Sequence, residues 1–314
     1  MAVTVLVRLP NHVGDACMSL PALQLLREAG LHCALVGRGW GASLFEGMHF
    51  PYIAIHDHLL RDIEHVRAAP RSIEDTLRGL VLPNSFGSAL LFALADVPSA
   101  GLATAYRRWL LRWPSREPAA CHEVERFFSA ASAALRAWGV AAARTAPPPS
   151  LGLQLTDGQR RAADSILRIG RVEGRYALVA PVATGLHRGR IKHWAHFAQL
   201  TPRLQERGLT VVAAPPPTEV EAAQAALPGA TILPSAPLGV FAALAERAAV
   251  VIANDSGTSH VAAAVGARQV TIFGVTDRAR TGPWSPRAVC VGTNGAWPAL
   301  DDVVAAVDTA VQQP

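Results

Sequence analysis

The strongest candidate for chemistry is a polar segment that follows a predicted buried strand, Asn254-Asp-Ser-Gly-Thr-Ser-His260. The apolar run Val250–Ala253 predicts the strand, and Ser256–Val265 predicts a helix after it. The first turn of a helix has unpaired N–H groups and the positive end of the dipole, and both attract phosphate. Asp255 suits a helix cap or an acceptor for a sugar hydroxyl or backbone amide. An ordinary capped helix start is the alternative.

Lys192 is the second candidate, because it is the single lysine among 29 basic residues. A lysine is a compact point charge on a flexible stem, whereas an arginine is a planar fork. Lys192 ends a Gly- and Arg-rich loop that begins at Pro181 and includes Thr184 and Gly185, a composition that suits a diphosphate. The loop matches neither the Walker A pattern nor GxGxxG. A solvated basic loop is the alternative.

Two further candidates follow strands predicted in the first half of the chain. Asp15 follows the strand Val3–Leu9 and opens the next helix, where a carboxylate is either a helix cap or a general base. Asn84 and Ser85 follow the strand Leu80–Pro83, where an ordinary turn is the alternative.

Strands alternate with helices along both halves of the chain, which predicts α/β domains with parallel sheets. Three consecutive prolines in the segment 146–150 indicate a linker. We therefore predict two Rossmann-like domains, residues 1–150 and 151–314, whose sheets face each other across a cleft. Ligands of such sheets bind at the carboxyl ends of strands, where all four candidate segments are placed.

The composition is that of a globular protein, with 50% hydrophobic and 17% charged residues among 314. No apolar run is long enough for a transmembrane helix, and the first residues lack the pattern of a signal peptide, so we expect a cytoplasmic protein. Four scattered cysteines argue against a zinc site or a disulfide scaffold. The net charge of +5 suits an anionic partner.

Four segments together resemble the bacterial lipopolysaccharide heptosyltransferases of glycosyltransferase family 9, most closely the heptosyltransferase II type. They span nearly the whole chain, and the last is the most specific. The segments are Val5–Asp15 with Met18-Ser19, Val81–Phe86 with Ser88-Ala89-Leu90, Lys192-His193-Trp194, and Asn254–Ala264 with Val270–Gly274 and Thr276.

The resemblance implies a GT-B architecture, with an N-terminal acceptor-binding domain and a C-terminal nucleotide-sugar-binding domain. It implies inverting transfer of heptose from ADP-heptose to the inner core of lipopolysaccharide. Two stretches depart from the family pattern: the loop 186–191 is unusual for the family, and the stretch 275–280 lacks the proline expected beside the glycine.

The resemblance also implies roles for individual residues. Asp15 would be the general base, and Lys192 would neutralise the leaving diphosphate. Asn11, His12, Asn84 and Ser85 are the implied acceptor-binding residues. The implied donor-binding residues are Thr184, Gly185, Lys192, Asp255, Ser256, Gly257, Thr258 and His260.

Lysine and a helix terminus can neutralise a diphosphate without a metal, and no DxD-type acidic pair follows a strand, so we expect no metal or other cofactor. The expected partners are a nucleotide sugar and a phosphorylated lipid A-core acceptor, with peripheral contact to the cytoplasmic face of the inner membrane and no nucleic acid. Arg107, Arg108 and Arg112, with Trp109 and Trp113, suit acceptor phosphates or that membrane, and a solvated helix with snorkelling arginines is the alternative.

Two other functions remain open on the sequence. One is a family member that uses another nucleotide sugar or a non-lipid acceptor. The other is a nucleotide-sugar-binding protein without catalysis, against which the presence of both Asp15 and Lys192 argues.

Overall fold

A computed structural model describes residues 3–69, 76–104, 106–183, 186–187 and 189–313. The chain forms two compact units, Met1–Pro148 and Pro149–Pro314. Among the described residues, no helix is long and apolar enough to cross a membrane.

The first unit alternates strands and helices. In chain order its elements are β1 Val3–Arg8, α1 Val13–Met18, α2 Leu20–Glu28, β2 His32–Arg38, α3 Trp40–Leu44, β3 Tyr52–Ile55, α4 Leu59–Arg67, β4 Thr76–Val81, α5 Phe86–Leu94, β5 Ser99–Leu102, β6 Trp113–Ser115 and α6 Glu123–Ala137. Short 3₁₀ helices cover Glu46–Met48 and Arg107–Leu110.

The second unit repeats this alternation. Its elements are α7 Asp157–Ile169, β7 Tyr176–Ala180, β8 Leu186–His187, β9 Arg190–Ile191, α8 Phe197–Gln205, β10 Thr210–Ala213, α9 Val220–Ala226, β11 Thr231–Ile232, α10 Leu238–Arg247, β12 Val250–Asn254, α11 Gly257–Ala264, β13 Gln269–Ile272, α12 Arg278–Thr281, β14 Ala288–Val291 and α13 Leu300–Gln312. A 3₁₀ helix covers Pro217–Glu219.

Each unit contains a six-stranded parallel sheet. The strand order is β3-β2-β1-β4-β5-β6 in the first and β11-β10-β7-β12-β13-β14 in the second. In each sheet the chain builds outward to one side from a central strand and then to the other side, so the strand order switches between β1 and β4 and between β7 and β12. This is the doubly wound arrangement of Rossmann folds. The prediction of an α/β fold with two parallel sheets is therefore confirmed.

The central strands are buried on both faces, as the apolar runs predict. β12 is buried along its whole length, and the core of the second unit includes Trp194 and Phe197 beside that strand. Burial of such side chains contributes about 1.5–3 kcal/mol each. The rigid sheet that results fixes the loops at its carboxyl edge.

The first helical segment differs from its prediction. The apolar spacing predicts one helix over Ala16–Ala29, but α1 ends at Met18 and α2 begins at Leu20. Pro21 has no N–H to continue the hydrogen bonds of α1, and its fixed φ suits the start of a new helix. The Ser19 hydroxyl at the junction donates to the Ala16 carbonyl at 2.7 Å.

Candidate active site

The candidate phosphate-binding segments of the second unit follow two adjacent strands. Ala180 at the end of β7 pairs with Ala253 near the end of β12. The sheet order reverses between these strands, and ligands of such sheets bind in the crevice at that position. The sheet therefore places the start of the next loop, at Pro181, beside Asn254.

A buried asparagine joins these two loops. The Asn254 side-chain amide donates to the Pro181 carbonyl at 2.8 Å, and its oxygen accepts from the Trp194 backbone N–H at 3.1 Å. Asn254 and Trp194 are completely buried, and the Trp194 indole donates to the Pro298 carbonyl at 2.9 Å. These hydrogen bonds fix both ends of the short segment that carries Lys192.

Replacing Asn254 with alanine is expected to reduce the free energy of unfolding by about 1–3 kcal/mol, because the buried N–H of Trp194 loses its acceptor. Urea unfolding measures this change. The exposed Asn294 provides the control, and Asn294→Ala is expected to change stability by less than about 0.5 kcal/mol. Equal effects of the two substitutions would contradict the role of Asn254.

Lys192, Asp255 and His260 lie next to one another in a short chain of polar side chains. The Lys192 Nζ lies 3.7 Å from one Asp255 carboxylate oxygen and donates to the Asp255 backbone carbonyl at 3.3 Å. The other carboxylate oxygen lies 3.9 Å from Nε2 of His260. The Asp255 side chain is 7% exposed and that of Lys192 is 25% exposed. Asp255 therefore orients a partly exposed ammonium group.

The helix α11 begins immediately after this pair. Ser256 is its N-cap in an extended conformation and makes no side-chain capping hydrogen bond, so the helix cap proposed for Asp255 is not what the structure shows. The Ser259 hydroxyl donates to the Ser256 carbonyl at 2.8 Å. The backbone N–H groups of Gly257 and Thr258 belong to the first turn, where a helix offers donors to an anion.

The loop before Lys192 contains a small antiparallel pairing of β8 with β9. Arg190 in this hairpin donates to the Gly274 carbonyl at 3.4 Å. The predicted donor-binding residues Thr184 and Gly185 lie outside the described residues.

The candidate residues of the first unit flank its central strand pair, in which Arg8 of β1 is paired with Val81 of β4. Asp15 lies in the first turn of α1, and His12 is the N-cap of that helix without a side-chain capping bond. Asn84 lies in the loop that follows β4. The sheet thus brings the two segments that contain the four predicted acceptor residues to one edge.

A pocket of about 230 Å³ at this edge contains Asn11 and Ser85 among its lining residues, together with Arg8 and Ser88. His12 and Asn84 are not among the described residues that line it. The Ser85 hydroxyl accepts from the Ser88 N–H at 3.3 Å and so caps α5. Two of the four predicted acceptor residues therefore share one pocket.

Arg8 is a site residue that the sequence reasoning missed. It is 3% exposed, donates to the Asn11 side chain at 2.6 Å, and donates to the Leu9 carbonyl. Burial lowers the pKa of its guanidinium to about 10, which leaves it charged at neutral pH. The sequence could have indicated this role, because Arg8 is the only charged residue in the apolar strand β1. A buried cation requires a polar partner.

The prediction that Arg107 lies at the protein surface is wrong. Arg107 is completely buried, where its guanidinium donates to the carbonyls of Leu102, at 2.6 Å, and Pro83. Arg108 and Arg112 are exposed, and so is Trp109. The spacing of the arginines in the sequence does not show that the side chain of Arg107 packs against the loop after β4.

The family model of glycosyltransferase family 9 (heptosyltransferase) matches residues 74–304, about three quarters of the chain. The chain belongs to glycosyltransferase family 9. It is therefore a glycosyltransferase of the heptosyltransferase family, as the four sequence segments predict.

Solved structures share the fold of this family member over nearly its full length. The ADP-heptose lps heptosyltransferase II of E. coli is 23% identical, with 98% of each chain covered and a TM-score of 0.78. A family 9 glycosyltransferase of Veillonella parvula is 17% identical, covering 98% of this chain and 97% of its own, with a TM-score of 0.80.

The E. coli heptosyltransferase WaaC, solved with ADP, is 19% identical, with coverage of 98% and 100% and a TM-score of 0.76. These similarities confirm the GT-B class of the two-sheet fold. No curated protein sequence matches the chain significantly.

The sequence reasoning also missed Trp297, which lies in the second unit. Its ring lies against the backbone of Gly274, so any side chain at position 274 would overlap the indole. Glycine is therefore required at that position of the family 9 segment Val270–Gly274. Trp297 lies outside every recognised segment, so no local pattern could have indicated this contact.

Proposed function

We propose that this family 9 enzyme transfers heptose from ADP-heptose, with inversion, to a phosphorylated inner-core acceptor of lipopolysaccharide. The observation that carries this proposal is the convergence of Lys192, Asp255 and the start of α11 at one strand edge. An ammonium group and helix N–H donors there suit the diphosphate of a nucleotide sugar. The name of the E. coli heptosyltransferase II structure and the ADP bound to WaaC support the choice of donor.

A mostly apolar pocket of about 50 Å³ lies beside these phosphate-binding groups, and we propose that it receives one edge of the nucleoside. It is formed by the ends of β7 and β10 and includes Phe241 and Thr258. Apolar and aromatic walls with few polar groups are typical of such sites. Glu219 also lines the pocket, and its carboxylate would accept a hydrogen bond from a ribose hydroxyl.

The proposed mechanism assigns separate tasks to the two units. Lys192 and the N–H groups of Gly257 and Thr258 would stabilise the negative charge that develops on the leaving diphosphate. Asp15 would remove the proton from the acceptor hydroxyl as it attacks the anomeric carbon from the opposite face. Because cationic and dipolar groups of the protein neutralise the diphosphate, this transfer requires no metal.

In the first unit, Asn11, His12, Asn84 and Ser85 are the proposed acceptor-binding residues. The pocket of Asn11 and Ser85 contains the buried guanidinium of Arg8 and the carboxylates of Asp57 and Asp62, so its charges alone do not select an anionic acceptor. The name of the E. coli lps heptosyltransferase II structure supports the phosphorylated lipid A-core as the proposed acceptor.

We propose that the enzyme works at the cytoplasmic face of the inner membrane. The side chains of Tyr106 and Trp109 are 92% and 89% exposed, and Arg108 and Arg112 are exposed near them. Aromatic rings beside cations are typical of surfaces that contact an anionic lipid headgroup layer.

Calorimetric titration with ADP, UDP, GDP and dTDP tests the donor. ADP is expected to bind at least about tenfold more tightly than the others, because WaaC, which shares this fold, was solved with ADP. In the control, Lys192→Ala is expected to weaken all four nucleotides similarly, since Lys192 faces the phosphates.

If another nucleotide bound more tightly than ADP, the proposed donor would be wrong, whereas the proposed reaction class, sugar transfer from a nucleotide sugar, would stand. Absence of binding by all four would contradict the proposed site. Binding without transfer from any nucleotide sugar would favour a non-catalytic binding protein.

A further inference from the structure

Three side chains that commonly ligate metals cluster in the first unit. None of them has a role in the transfer proposed above, although Asp62 lines the same pocket as Asn11 and Ser85. His56 follows β3 directly, whereas Asp62 and His65 belong to α4. One ligand atom from each residue lies within 4.8 Å of those of the other two. The spacing of three residues places Asp62 and His65 on one face of the helix.

Asp62 is a buried carboxylate with little compensation for its charge. It is 4% exposed and accepts a hydrogen bond from the His56 backbone N–H at 2.9 Å. Within the described ranges it forms no ion pair with an arginine or lysine, although Arg8 attracts it over a longer distance. Buried carboxylates are normally paired or coordinate a metal, and the hydrogen bond to His56 leaves further acceptor capacity.

His65 has the second contact typical of a metal ligand. Its Nδ1 lies 3.3 Å from the Ala54 carbonyl. An imidazole that donates from Nδ1 to a carbonyl has its lone pair on Nε2, the arrangement in which metal-binding histidines are usually held.

The histidine rings can close around an ion with small rotations. Their centroids are 5.8 Å apart in an edge-on arrangement, and both side chains are exposed. Ligands around a tetrahedral Zn²⁺ lie about 3.3 Å apart, given bonds of about 2.0 Å. Exposed imidazoles can rotate over that difference while the buried Asp62 stays fixed.

We propose that His56, Asp62 and His65 bind one divalent transition-metal ion, with Zn²⁺ as the representative. Two imidazoles and one carboxylate suit Zn²⁺, Co²⁺, Ni²⁺ or Fe²⁺, whereas Mg²⁺ and Ca²⁺ prefer oxygen ligands. The neighbouring Asp57 is not a further ligand, because its carboxylate pairs with Arg38. The ion joins the end of β3 to α4 and keeps a coordination position for water. No step of the transfer proposed above uses the ion, although Asp62 also lines the proposed acceptor pocket.

Titration of the EDTA-stripped full-length enzyme with Zn²⁺ tests this site, with Co²⁺ absorption as a second readout of ligand geometry. One ion per chain is expected to bind and to raise the melting temperature. His56→Gln and His65→Gln are each expected to weaken binding by at least about tenfold and to remove the rise. The matched control is His58→Gln, an exposed histidine of the same loop, which is expected to bind as the unsubstituted enzyme does.

Failure of the unsubstituted enzyme to bind micromolar Zn²⁺ would overturn the site, and so would unchanged binding in both histidine variants. Circular dichroism of the metal-free variants establishes that they are folded. Asp62→Asn provides a further variant, because its amide oxygen can still accept from His56 while the carboxylate charge is lost. EDTA is expected to lower the melting temperature without lowering heptose transfer. Loss of transfer in EDTA would overturn the separation of this site from catalysis.

Discussion

Replacing Asp15 with asparagine is expected to lower kcat for sugar transfer by about 10²–10⁴-fold, the usual contribution of a general base. Asp15 lies in the first turn of α1, at the carboxyl edge of the first sheet. The amide is nearly the same size but cannot accept the proton of the acceptor hydroxyl. Steady-state transfer to a lipopolysaccharide core acceptor measures the effect.

A measurement of ADP binding distinguishes a general-base role of Asp15 from a structural role. The proposed nucleotide groups belong to the second unit, so Asp15→Asn is expected to leave the Kd for ADP nearly unchanged. Asp157 provides the matched control, since it is an exposed carboxylate in the first turn of α7. Asp157→Asn is expected to keep full transfer, and full transfer by Asp15→Asn would remove Asp15 from the mechanism.

Replacing Lys192 with alanine is expected to lower kcat by about 10²–10³-fold, comparable to the loss of one preorganised donor in a charge-stabilising site. It is also expected to weaken ADP binding, because in the proposed site the ammonium would contact the diphosphate in the ground state as well. Parallel kinetic and calorimetric measurements determine how the loss divides between binding and catalysis.

Lys192→Arg is expected to restore little of this activity, although it keeps the charge. The ammonium occupies a narrow position beside the Asp255 carboxylate, 3.7 Å away, and the Asp255 carbonyl, 3.3 Å away. A planar guanidinium is larger and would pair with the buried Asp255 in a different geometry. Full activity of Lys192→Arg would show that charge alone is required at this position. Arg203→Ala in α8 serves as the control for loss of a basic residue and is expected to retain activity.

Local patterns in the sequence were sufficient for the elements that carry the site. Alternating apolar runs and helical spacings depend on neighbours within about four residues, so they predicted β12 and α11 around Asn254 closely. The same local reading failed at Ser19, where Pro21 divides a helix that apolar spacing alone would continue. The family segments added the expected activity, which no element pattern contains.

The sequence by itself determined that two parallel α/β sheets form and that polar segments follow their strands. Only the tertiary structure decided which segments meet. Lys192 reaches Asp255 across 63 residues, and Asn254 reaches Pro181 across 73, because β7 and β12 are adjacent in the sheet although they are distant in the chain. Long-range packing likewise buried Arg107. Such contacts depend on strand order and burial, which local spacing does not specify.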